Sequence, residues 1–145
     1  MNAELRDLER LLEGGNYTVF LRTYPVSHAA DATTRDIVAT ALGDTAVIGN
    51  TVPESADGVV TEIRSCLEHA GDDGYGPFAS CLASPEFKAL CKSVLSQVSQ
   101  LCWSSQEVTL FWLTEGHPAY PVFWDFAYLF RGSERSTIFI GSSSD

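Results

Sequence analysis

A chain of 145 residues, 45% of them hydrophobic and 19% charged, has enough apolar mass to bury a core, which excludes an intrinsically disordered polypeptide. Its 19 acidic residues against 9 basic ones give a formal net charge of -10, a field that repels phosphate backbones and excludes nucleic acid as a direct partner. The longest apolar runs, around residues 110–113 and 122–130, are too short to cross a bilayer, so no membrane partner is expected.

The length fits one domain, residues 1–145. The first seven residues carry acidic side chains and no apolar signal core, so no secretory leader is read and the expected location is the cytosol. Residues 3–13 predict an amphipathic helix, with Leu5, Leu8, Leu11 and Leu12 in one stripe, Asn2 as its cap and Gly14-Gly15 as its stop. Residues 17–24 carry both strand composition and helical spacing. Their Tyr, Thr, Val and Phe content favours a strand, which Pro25 ends. Thr33 or Thr34 starts a short helix through Leu42, with Ile37, Val38, Ala41 and Leu42 inward. Residues 44–53 read as a connector with one apolar patch at 46–48.

Residues 54–70 predict a helix with Val59, Val60, Ile63, Cys66, Leu67 and Ala70 on its inner face. A glycine-rich loop over 71–76 follows. Ser84-Pro85-Glu86 is the strongest local signal. Serine caps, proline takes the first helical position, and glutamate complements the positive end of the helix dipole. Phe87, Leu90, Cys91, Val94, Leu95, Val98, Leu101 and Cys102 continue that repeat, so this helix is the expected spine of the core.

After Cys102 the chain becomes aromatic and β-branched over 108–113, 122–130 and 137–140, with turn-rich links between. Three such strands predict an antiparallel meander. The middle one is apolar on both faces and is expected to be central. Helices cover one face; residues 17–24, the first helix or a partner protein cover the other. Residues 141–145 are expected to fray. The fold expected is therefore α+β: a helical N-terminal two-thirds packed on a C-terminal three-stranded antiparallel sheet, four-stranded if residues 17–24 join it.

The four cysteines, Cys66, Cys81, Cys91 and Cys102, form no C-x-x-C pair and complete no zinc pattern. Buried free thiols in a reducing compartment account for them. Asp72-Asp73-Gly74 lacks the alternating ligands of a calcium loop, and phosphate loops, G-x-S-x-G and H-E-x-x-H are absent. No metal and no cofactor are expected.

Asp125 is the most unusual residue, a carboxylate inside the most hydrophobic strand. Burial there is costly unless the group is paired, so it reads either as a catalytic or partner-binding group, or as a structural anchor or strand-end residue. The loop Glu115-Gly116-His117-Pro118-Ala119-Tyr120-Pro121 offers a carboxylate, an imidazole and a phenol. With Asp125 and a cysteine it permits a Cys–His–Asp hydrolase on paper, although it also suits a rigid hairpin connector with a cis Tyr120-Pro121 bond. Glu54, Asp57, Glu68, Asp72 and Asp73 predict an acidic face, since residues 54–73 hold six acidic side chains and one basic one, Arg64. Such a face steers a basic partner, or simply solvates a helix.

The expectation from sequence is a small acidic binding protein, in its sharper form an immunity- or antitoxin-type inhibitor of a basic toxin or nuclease. The alternatives are a small enzyme or ligand-binding domain with a pocket around Asp125, His117 and Glu115, and a structural homodimer.

Overall fold

A computed structural model describes residues Met1–Asp145. The elements run α1 (Asn2–Leu12), β1 (Thr18–Ser27), α2 (Thr34–Leu42), β2 (Val47–Pro53), α3 (Ala56–Leu67), α4 (Ala79–Ala83), α5 (Pro85–Ser104), β3 (Glu107–Glu115), β4 (Trp124–Arg131) and β5 (Arg135–Ser144). One five-stranded antiparallel sheet joins the strands in the order β1-β5-β4-β3-β2.

This corrects the expected layout. The sheet is not a C-terminal three- or four-stranded unit, and the first two-thirds of the chain is not purely helical. The meander β3-β4-β5 forms its centre, while β1 and β2, from the first half of the chain, form its two edges. β2 was expected as a connector. Almost all of it is exposed, so no buried alternation marks it, and its pairing with β3 slips register twice.

β4 packs on both faces. Phe126, Tyr128 and Phe130 point into the larger cluster, with α1, α3 and α5. Ala127 and Leu129 point into a second cluster with Ile37 and Val38 of α2. Within the chain the second cover is thus α2, with Phe20 and Tyr24 of β1 packed at its side, while the first helix lies on the other face. Two helix starts follow their local chemistry. Thr33 and Asp36 form a capping box on α2, and the Ser84 hydroxyl accepts the Phe87 N–H with Pro85 in the first turn of α5.

Asn2 does not cap α1, which begins at Asn2 itself. Its side chain reaches β1 instead, accepting the Thr23 N–H at 3.0 Å and donating to the Thr23 carbonyl at 3.2 Å. Glu9 of α1 accepts the Leu21 N–H at 2.7 Å and pairs with Arg22 at 2.8 Å. Residues 21, 23 and 25 alternate along one edge of β1. The first two outward N–H groups are satisfied by α1, and the third does not exist, because residue 25 is proline. Pro25 therefore does not end the strand; β1 passes through it to Ser27, as an edge strand allows.

The tail does not fray. Residues 141–144 pair with β1 on one side, and residues 141–143 pair with β4 on the other; Ser142 and Ser143 are each 1% exposed. A Cβ on Gly141 would lie 2.3 Å from the Phe126 ring, which stands edge-on to Phe139 at 5.0 Å. Gly141→Ala is expected to lower unfolding stability by about 1–3 kcal/mol through overpacking, read from the urea midpoint. A frayed tail would leave that midpoint unchanged.

Candidate functional site

β3 and β4 pair from Glu107↔Arg131 to Leu110↔Tyr128 and no further. Beyond that level β3 stays with β2, and β4 stays with β5. The sheet forks, and a cleft of about 200 Å3 opens at the fork against the start of α3. Three carboxylates line it: Glu54, just before α3; Glu62, on α3; and Asp125, on β4. Trp112, Phe126 and Tyr128 give it aromatic walls, and no lysine or arginine lines it.

None of these carboxylates is in an ion pair. The two ion pairs of the chain, Arg10–Asp7 and Arg22–Glu9, both lie elsewhere. The negative field falls on the neighbouring groups. Burial pushes the Tyr128 hydroxyl far above its ordinary value, and Glu62 and Glu54 add to the shift. Burial, then Glu62 and Asp125, push the Cys66 thiol up to about 12. Its Sγ–H points at the Glu62 carboxylate, 3.9 Å away. No group of three His, Cys, Asp or Glu side chains is arranged to hold a metal ion.

Local sequence places Glu54. Its carboxylate accepts the Ser55 N–H at 2.8 Å, while the Ser55 hydroxyl caps α3 through the Gly58 N–H. Gly58 leaves room for this: a Cβ there would sit 2.2 Å from the Glu54 oxygen. Glu62, on α3 beyond Gly58, lines the same cleft as Glu54.

Asp125 is exposed. It is the second residue of β4, at a level where β3 has already left, so its carboxylate is not buried in the strand. His117 is half-buried, and its Nδ1 accepts the Ala119 N–H at 3.0 Å. The ring proton therefore sits on Nε2, which is enclosed without a partner. Burial lowers the His117 pKa from 6.5, against the opposing pull of Asp125. Glu115 is exposed at the end of β3 and does not line the cleft. The structure thus sets His117 within the field of Asp125 and leaves Glu115 apart. No cis peptide bond is present, so the expected cis Tyr120-Pro121 bond is not used.

The expected acidic row is divided. Glu54 lies in the cleft and Asp57 is exposed beside it in the first turn of α3. Glu68, at the other end of α3, opens into a different hollow with Arg64, Lys88 and Lys92. Asp72 and Asp73 are exposed on the loop that follows. Glu54 and Glu68 are 14 residues apart, or about 21 Å along a helix, too far to act at one point. Trp112 was marked from sequence only as one of several aromatics able to form a partner patch, and Glu62 and Tyr128 were not singled out. Glu62 was visible only as one of the six acidic side chains of residues 54–73; nothing local marked where the sheet divides.

A hydrolytic thiol is not supported here. Cys66, on which the Asp125 charge acts, is 5% exposed and stays protonated at neutral pH. A Ser–His contact does exist, with His28 Nε2 2.7 Å from Ser136 Oγ, but Ser136 is 5% exposed and the contact ties the end of β1 to the start of β5. Comparison with protein-family models, curated proteins and solved structures finds no match for this chain.

His117 carries a pH signature. Its folded pKa lies below the unfolded value, so as pH falls through about 6.5 the unfolded chain takes up the proton first and stability drops. His117→Gln is expected to flatten the loss of stability between about pH 7 and pH 5, measured by urea unfolding at each pH. An unchanged slope overturns the assignment.

Proposed function

We propose that the protein is a non-catalytic binding protein whose acidic cleft receives a lysine or arginine side chain from a basic polypeptide. One observation carries this reading: Glu54 just before α3, Glu62 on α3 and Asp125 on β4, none of them in an ion pair, converge on a single aromatic-walled cleft. A cation in that cleft gains from the carboxylates and from the faces of the surrounding rings, Trp above all. Trp112 is 43% exposed and free to provide such a face.

The net charge of -10 supports the same reading at longer range, because it speeds encounter with a basic protein and suppresses acidic competitors. In its sharper form the partner is a basic toxin or nuclease, and the protein is its immunity- or antitoxin-type inhibitor. This reading places it in the cytosol, where unpaired thiols stay reduced. An enzyme using Asp125, His117 and Glu115 has less support, since Glu115 stands apart and no reactive nucleophile adjoins the other two. No specific observation favours a structural homodimer.

Hexa-arginine peptide serves as the probe, measured by calorimetry at low and high salt. Glu54→Gln, Glu62→Gln and Asp125→Asn together are expected to weaken binding at least about tenfold. The charge-matched variant Asp31→Asn, Asp44→Asn, Glu134→Gln changes the net charge equally but lies outside the cleft, and is expected to weaken it only about twofold. Equal losses in the two variants would reduce the interaction to diffuse attraction and remove the cleft from it.

A further inference from the structure

The largest hollow on the molecule, about 810 Å3, lies along α3 and α5 beside α4, and is separate from the acidic cleft. Its floor is apolar, built from Val60, Leu82 and Phe87 among others. Its walls are cationic: Arg64 stands on α3, and Lys88 and Lys92 stand one turn apart on α5. The whole chain has nine basic residues, and three of them line this hollow. Only one carboxylate, Glu68, stands with them, and none of the three cations is in an ion pair.

We propose that this groove binds a small amphiphilic anion, with a hydrocarbon tail on the apolar floor and one carboxylate or phosphate head held by Lys88, Lys92 and Arg64. The inference does not rest on the acidic cleft and goes beyond it. Three like charges around an apolar hollow repel one another and find no internal partner, whereas an anionic head relieves the repulsion and a tail removes the floor from water. The volume is that of a small-molecule site, for which roughly 300–1,000 Å3 is usual. The charge of the rest of the chain selects against a polyanion. An acidic peptide would lay several carboxylates across a surface of net charge -10, while a single head group meets only the local positive patch.

Decanoate below its micellar concentration is the probe, titrated into the full chain by calorimetry and followed residue by residue with 15N NMR. One saturable site is expected, with shifts centred on residues 60–68 and 82–96. The double variant Lys88→Gln, Lys92→Gln leaves both side chains' exposed positions intact and is expected to keep the wild-type melting temperature while losing at least about tenfold in affinity. Decanol, which lacks the charge, and acetate, which lacks the tail, are each expected to bind at least about tenfold more weakly. Saturable binding of decyl phosphate in place of decanoate also supports the proposal and identifies the head as phosphate. The proposal is overturned if neither anion saturates, if the double variant binds as well as wild type, or if a glutamate-rich amphipathic peptide occupies the groove and both small anions do not.

Discussion

β4 buries side chains on both of its faces, and the arrangement of the other elements answers to that demand. Its aromatic side, Phe126, Tyr128 and Phe130, needs a deep cover, which α1, α3 and α5 supply. Its smaller side, Ala127 and Leu129, needs only a shallow one, which the nine-residue α2 supplies through Ile37 and Val38. A doubly covered strand also needs a neighbour on each side to satisfy its backbone groups. β5 provides one along the whole of β4, but β3 provides the other only up to Leu110. The place where that second neighbour leaves is the place where the acidic cleft forms.

α3 borders both candidate sites, which carry opposite signs. Asp57 stands in its first turn, with Glu54 just ahead of it, where backbone N–H groups present positive partial charge and stabilise carboxylates, while Glu62 lies past the helix midpoint. Arg64 stands in its last turn, where a cation is favoured for the complementary reason. The acidic cleft opens beside the N-terminal part of α3 and the cationic groove beside its C-terminal part, where α5 adds Lys88 and Lys92.

The helices were the legible part of this chain because each carries its own evidence. The leucine stripe of α1, the Thr33 capping box and the Ser84-Pro85 start are local patterns, and local patterns survive without knowledge of the fold. What escaped depends on partners distant in sequence. β2 is held by β3 and buries little, so it leaves no alternation to read. Residues 141–144 look like a polar tail, yet they are ordered by β1 and β4 pairing on either side. Its aromatic neighbours left Asp125 readable either as a buried carboxylate or as a strand-end residue, and the second holds because β3 turns away before its level. The acidic residues of 54–73 were visible as a set, but the division between cleft, groove and loop was not, because α3 spreads them over too great a length. Only the fork in the sheet brings Asp125 and Trp112 to meet Glu54 and Glu62.

The closure of β1 by Asn2, Glu9 and Pro25 limits how copies of this molecule can assemble. Fibrous growth by strand addition requires two open borders, one to receive a copy and one to receive the next. Here one border is sealed by side chains and by a missing donor, which leaves β2 as the open one. Joining two copies there consumes the open border of both, so accretion of this kind stops at a pair and cannot propagate into a filament.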